Sequence, residues 1–463
     1  VTLNGLLNLA SEALQANSFA LNVTGQNIAN ASTPGYVNRT PILETQVDGS
    51  LTTGGVLATG VSRSYDQFTQ ARLYDATGLS SAADSRNTAL QQLQSVFNES
   101  AGTGLAAPIS ALFSSFSSLA ANPTDATTRE GVVAAATGFT QAVNAASASI
   151  TQQRSDLLSQ AQGVASEING YANQLASLNT KIAVTQGEGG DASDLLDQRD
   201  QLLTQLSADV DVHTATDGKG QLVVSVSGTT LVDDGSAATL SVSTDANGNM
   251  TLLSQMGTGP NIDVTSQLTG GQLAGIKEAR DVDAAAESQS LDQLTYDIGT
   301  AINTQQEAGY GSDGSAGQAI FTLGPSAQGA ASTIAVNSAV AANPDLIAAA
   351  SSAATAPGGS DNAVALANLA NENIASGGTA TPADAYASIV GDVGLRAQSA
   401  QQDSETRDAM TSQVQTMRDS TSGVSLDEQM VALSNYQSAY SAASQLITTA
   451  NTLLNGLITA ITP

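Results

Sequence analysis

Residues 27–41 read NIANASTPGYVNRTP and close a helical pattern that begins at the third residue of the chain. Ahead of them Leu7, Leu14, Leu21 and Ile28 recur seven apart, with Leu3, Ala10, Asn17 and Thr24 as a companion row. Alternating steps of four and three put both rows on one face, the pattern of a helix pressed along another. Then the pattern stops. Thr33 precedes a proline and is biased to extended backbone. Pro34 cannot continue the helix ladder, and Gly35 accepts turn geometry that other residues resist. On these residues alone the stretch is a helix-terminating turn.

The far end of the sequence mirrors the near one. Leu426, Met430, Leu433, Tyr436, Tyr440, Ala443, Ile447, Ala450, Leu454, Leu457 and Ile461 follow one another at gaps of three or four. Ser425 and Glu428 form an S-x-x-E capping box that starts this helix. Charge is almost missing from both ends: Glu12 stands alone in residues 1–33, Asp427 and Glu428 in residues 425–463. A water-exposed coiled coil carries Glu and Lys beside its seam, whereas here the flanks are Asn, Gln, Ser, Thr and Ala. Two readings stand: a low-charge bundle on the surface of a monomer, or termini packed against other copies. Ordering these ends costs roughly 1–2 kcal/mol per residue in backbone entropy, which favours ends that order on assembly.

Composition narrows the function classes. The chain has 463 residues, 3% aromatic and without Trp or Cys, and a net charge of −28 that includes only three lysines. Such an acidic chain has no footprint for a nucleic-acid backbone and is repelled by anionic lipid. Thiol catalysis, disulfide scaffolds and cysteine metal sites are excluded. The first residues show no secretory signal pattern, and no apolar run reaches bilayer length.

Between the ends, residues 150–186 carry Leu157, Ala161, Val164, Ile168, Tyr171, Leu175, Leu178 and Ile182 at helical spacing. GEGGD (187–191) then separates them from the helical DLLDQRDQLLTQL, which predicts a helical hairpin. From 211 to 270 the period changes to two, with Gly- and Asp-rich turns between β-rich runs. Helix returns at GGQLAGIKEARD. Residues 308–362 read as loop with a strand at STIAV, and helices are expected at 363–375 and 383–419.

Catalytic chemistry finds little support. The single histidine, His213, excludes HExxH zinc sites, and none of Lys181, Lys219 or Lys277 lies in a phosphate-binding loop. Asp191, Asp194, Asp197 and Asp200 are spaced by three. They read as a helix start, where Asp191 or Ser193 caps and negative charge is favoured, or less readily as a cation site. DANGNM (245–250) lacks the terminal Glu of a calcium loop and reads as a hairpin turn, as does Asp233-Asp234.

The stretch NIANASTPGY resembles the Asn-rich, Pro-Gly-Tyr signature of bacterial flagellar axial proteins, the rod, hook and hook-associated subunits. Asn27, Ile28, Asn30, Pro34, Gly35 and Tyr36 carry that resemblance. The closing helix SGVSLDEQMVALSNYQSAYSAASQLITTANTLLNGLI is similar to that of the same group. LLDQRDQLLTQLSADVDV, LTGGQLAGIKEARDVDAAAESQSLDQLTYDIGTAIN, AIFTLG, GGSDNAVALANLAN and DAYASIVGDVG resemble, in order, the branch at the hook–filament junction. One departure is that large members carry two outer domains, whereas the stretch between FTLG and DAYAS is short.

The resemblance implies a mainly α fold with a small β-domain. Its parts are paired N- and C-terminal coiled-coil-like helices, a long-helix inner domain and one outer β-rich domain. The expected division is 1–33 with 425–463 for assembly, 34–210 with 271–424 for the middle, and 211–270 outside. It also implies a structural subunit, not an enzyme and without cofactor, exported through the flagellar type III channel to the outside of the cell. Expected partners are copies of itself in a ring or short tube, the hook protein, the second hook–filament junction protein and an export chaperone on the C-terminal helix. No nucleic acid or membrane partner is expected. On this reading Tyr36 anchors the chain as it leaves the inner tube. Alternatives are another axial subunit (hook or distal rod), an extracellular binding module or adhesin, and a cell-wall hydrolase.

Overall fold

The heptad-like rows do form helices that lie together. The computed structural model describes residues 3–46, 54–99, 104–218 and 221–461. Helix α1 (Leu3–Asn30) packs along α12 (Leu426–Ile461) and against a hairpin of β1 (Arg39–Gln46) and β2 (Gly55–Arg63). The fully buried apolar positions on the two helices are small or β-branched: Ala10, Ala16, Ala20 and Val23 on α1, Ala443 and Ala450 on α12. Leu3, Leu7, Leu14, Leu21 and Ile28 are half-buried beside them. Small side chains let two backbones approach, and the leucines close the flanks.

Helix α2 (Gln67–Val96) runs along α11 (Pro382–Ser422), which leads into α12. Asp66 caps α2 by accepting from Phe68 N–H at 3.0 Å, and Thr381 caps α11 by accepting from Asp384 N–H at 3.1 Å. Helix α3 (Ala106–Ala121) precedes α4 (Ala126–Gly187), the spine of the molecule. At 62 residues, α4 extends about 90 Å. It begins well before residue 150, because its buried stripe starts at Val132 and continues through Ala136, Phe139, Val143 and Ala146 to Ile150. Gln153 keeps the spacing and donates to Ala89 O at 2.6 Å. The stripe then resumes at Leu157.

One helix therefore serves two cores. The first joins the start of α4 to α3, α7 (Ala284–Glu307), α10 (Asp361–Asn368) and α11, with Phe139 edge-on to Phe321 at 5.9 Å. The loop-rich segment that covers it contains β9 (Phe321–Thr322), α8 (Ala330–Thr333), β10 (Ala335–Val336) and α9 (Ser338–Ala342). Side-chain amides tie it down: Asn303 exchanges two hydrogen bonds with Phe321, and Gln306 does the same with Leu346 and Ala348. The fully buried Arg129 donates to Ile347 O and Pro123 O.

The second core lies between α4, α5 (Ser193–Asp209), α6 (Gly271–Glu278) and a six-stranded antiparallel meander. Its strands are β3 (Val212–Thr216), β4 (Leu222–Val226), β5 (Thr229–Asp233), β6 (Ser236–Thr244), β7 (Met250–Met256) and β8 (Ile262–Asp263). Ser227 and Gly228, both at positive φ, give the β4–β5 hairpin its primed turn. Between β5 and β6 the ladder is short. Asn169 of α4 fills the gap, donating to Leu240 O at 2.9 Å and accepting from Leu240 N–H at 2.7 Å. The sheet thus curls over α4 and shares a core with it. Five residues in π geometry, Ala279–Asp283, join α6 to α7. Where α6 crosses α2, a Cβ on Gly275 would lie 2.1 Å from Ala82 O, so only glycine permits this approach.

Candidate functional site: the root of the terminal helices

The Thr33–Tyr36 turn closes with Tyr36 N–H donating to Thr33 O at 3.2 Å, and Gly35 takes φ +81°. Proline second and a positive-φ glycine third is the type II pattern. A Cβ on Gly35 would also fall 2.5 Å from the Gln201 side chain, which donates to Pro34 O. The turn is thereby seated on α5.

Asn27 holds the root together. Its buried amide donates to Arg39 O at 2.7 Å and to Gln429 Oε1 at 2.9 Å. It accepts from Tyr36 O–H at 2.9 Å and Arg39 N–H at 3.1 Å. All four hydrogen-bonding positions of a carboxamide are filled. Gln429 donates onward to Asn38 Oδ1 at 3.3 Å, and Asn38 N–H donates to Ser422 O at 2.8 Å. One side chain near the end of α1 thus links the turn, the first strand and the first turns of α12. Asn30 makes local bonds, to Gln26 O and from Thr33 O–H, and Ile28 is half-buried.

Below the turn lies a charged clamp. Arg39 and Arg63 face each other across the β1–β2 ladder. Arg39 Nη2 reaches Asp194 at 2.7 Å and Asp197 at 2.6 Å. Arg63 Nη2 reaches Asp197 at 2.5 Å and Asp200 at 2.8 Å. The three-residue spacing on α5 thus serves two guanidinium groups. Burial opposes the charge on each arginine, yet the carboxylates outweigh it and hold both above their ordinary values. For Asp200 burial wins over Arg63 and raises its carboxyl. Burial, then the Asp200 charge, pushes the Tyr65 phenol up to about 12. Arg39 also lies 4.7 Å over the Tyr36 ring.

The two arginines occupy Asp194, Asp197 and Asp200, and among the described residues no group of His, Asp or Glu is arranged to hold a metal ion. Asp191 accepts from Ser193 N–H at 2.9 Å at the start of α5. Asp245 accepts from Asn247 and Asn249 N–H, closing the β6–β7 turn. His213 is exposed on β3, and Lys219 lies outside the described residues. No described helix is long and apolar enough to cross a membrane.

On α12 the periodic residues divide. Leu433, Tyr436, Ile447 and Leu454 are half-buried on the α1 side, and the Ile461 side chain lies outside the described residues. Leu426, Met430, Tyr440 and Leu457 are at least two-fifths exposed, as are Val431, Leu446, Leu453 and Ile458. Ser425 Oγ accepts from Glu428 N–H at 3.4 Å, half of the expected capping box.

The family model for the helical domain of flagellar hook-associated protein FlgK matches residues 90–321, half of the chain. The chain belongs to the flagellar hook-associated protein family. Models for the flagellar basal body rod protein and for the C-terminal region of the rod FlgEFG proteins match residues 7–36 and 410–460, the two terminal helices. Flagellar hook-associated protein 1 of Escherichia coli K12 is 27% identical, over 98% of this chain and 100% of its own length. The protein of that name from Bacillus subtilis 168 is 27% identical over 98% and 97%. The Escherichia coli alignment runs over 546 positions against 463 residues here, so that relative carries segments this chain lacks. The flagellar hook junction protein FlgK from Burkholderia pseudomallei has the same fold, with TM-score 0.68 over 76% of this chain and 100% of its own at 17% identity.

A hook-associated family member is a structural component of the flagellar hook–filament junction, outside the cell. Sequence reading found the Asn-Pro-Gly-Tyr stretch but missed Arg39, Arg63 and Gln429. Arg39 lies inside the quoted stretch, and pairing it with carboxylates three apart required knowing that a hairpin returns to α5.

Proposed function

We propose that this chain joins hook to filament by packing α1 and α12 of successive copies into a ring or short tube, with the root at Asn27 fixing how the pair leaves the middle of the molecule. The exposed apolar surface of α12 carries this reading. Met430, Val431, Leu446, Leu453 and Leu457 are exposed there, with no charged residue beyond Glu428. So much exposed apolar surface marks an interaction site. The same face is what an export chaperone would cover before assembly, and hook protein and the second junction protein are the neighbours at the two ends of such a ring. The meander at 211–270 belongs on the outside, where water and salt screen the acidic charge.

Val431→Asp and Leu453→Asp are the test. Both side chains are more than half exposed, so the melting temperature of the dilute monomer should stay within about 2 °C of the parent, as for exposed substitutions generally. Incorporation into purified flagella, read by immunoblot, should be lost because a carboxylate would be buried without a partner. Normal incorporation of both variants would remove this exposed surface from the assembly contact.

A further inference from the structure

Where α2, the π turn and α11 meet, two arginines serve more carboxylates than they can neutralise. Asp283, fully buried, takes Arg86 at 2.8 Å and Arg396 at 3.2 Å. Asp392 takes Arg396 at 2.7 Å, and Glu278 stands 4.0 Å from Arg86. Glu287, in the first turn of α7 and 1% exposed, is left over. Its Oε1 is 3.8 Å from Arg396 Nε, beyond hydrogen-bond range, and its Oε2 has no donor. Across the helix pair, the Asp392 and Glu287 carboxyls converge on the same Arg396 Nε, at 2.7 and 3.8 Å, and line one cleft. A cleft of about 270 Å³, lined by Ser290, Gln293 and Ser388, opens beside the two groups.

Two carboxylates cannot hydrogen-bond each other unless one carries a proton. We propose that Glu287 and Asp392 form a proton-bridged fastener between α7 and α11, so that one proton taken from water sets how firmly α11 is held to the middle of the molecule. The charged groups facing Glu287 are Asp283 on the π turn, Asp392 and Arg396 on α11, and beyond them Arg86 on α2 and Glu278 on α6. None supplies the missing positive charge. Helix α11 continues to Ser422, and α12 begins after three intervening residues, so the fastener grips the stem of the assembly helix.

The direction follows from burial and the neighbouring Asp392, which push the Glu287 carboxyl up to about 7 from 4.5. The protonated fastener is complete below the ordinary value and is lost as pH rises through about 7. Hydrogen exchange on the full chain, corrected for intrinsic rates, reads this as local opening of residues 385–396 and 284–296. The opening constant should rise by up to about tenfold per pH unit between pH 5 and 7 and then level off. Glu287→Gln, a neutral side chain of the same shape, should remove most of that rise. Asp392→Asn, at a half-exposed position, serves if the first variant does not fold, and should reduce the rise. An equal rise in a folded variant and the parent, or no rise in the parent, overturns the proposal.

Discussion

Asp197 shows how a residue's partners can be hidden from sequence. Counted along the chain it is one of a row of carboxylates that reads as a helix start, where negative charge is favoured. In the fold its two oxygens are divided between Arg39 and Arg63, with the side chain one-tenth exposed. Removing its charge leaves two buried guanidinium groups with one partner each, so Asp197→Asn should cost about 3 kcal/mol. Asp194 also touches Arg39, but its side chain is 81% exposed, and Asp194→Asn should cost less than about 1 kcal/mol. Urea midpoints of the two variants decide the matter; equal effects would mean that the clamp adds nothing beyond surface charge. Asn27 is the converse case. Its place in the opening stretch was legible, because Asn followed by a Pro-Gly turn is local information. Its partner Gln429 lies 402 residues away, and no local pattern could supply it.

At the scale of elements, the legible parts were those whose periodicity is set by a continuous buried face. The α4–α5 hairpin, the meander and both terminal helices follow from spacing alone. Residues 126–149 were harder, since Ala136, Ala146 and Thr140 bury without bulk and small residues carry a weak periodic signal. The sheet limits fall where the period changes, but its relation to α4 was not visible, because it depends on Asn169 entering the ladder between β5 and β6. That relation has a measurable consequence. Val164, Ile168, Ala172 and Leu175 are at most 5% exposed in the core that the sheet and α4 share. Replacing residues 211–270 by a Gly-Ser linker should therefore uncover this stripe and raise binding of a hydrophobic dye several-fold. The α1–α12 pair, which has no part in that core, should keep its helicity. Unchanged dye binding with a well-folded remainder would show that the sheet stabilises nothing beneath it.

On the scale of the whole molecule, charge and apolar surface are segregated: 25 of the 28 net negative charges lie outside residues 1–33 and 425–463. This predicts how stability depends on pH and salt. Buried Asp209, with Glu167 adding to the effect, has its carboxyl pushed up to about 6, and Glu287 to about 7. What they contribute is complete below their ordinary values of 3.8 and 4.5 and is lost as pH rises through about 6 and 7. Asp66, Asp125, Asp245, Asp263 and Asp313 accept hydrogen bonds that hold them below 3.8. Their contribution is present above that value and is lost on further acidification. The two groups together place the stability maximum near pH 5. Self-repulsion acts in the same direction, because the net charge vanishes near pH 4.1 and reaches −28 at neutrality. Raising ionic strength from 0.01 to 0.15 M shortens the screening length from about 30 Å to about 8 Å. Salt should therefore raise the melting temperature clearly at pH 8 and barely at pH 5. A melting temperature that climbs steadily from pH 5 to pH 8, or a salt effect equal at both, would show that the acidic surface does not govern stability. Within the same measurement the α1–α12 contact acts as an internal control: with almost no charge of its own, it gains nothing from screening.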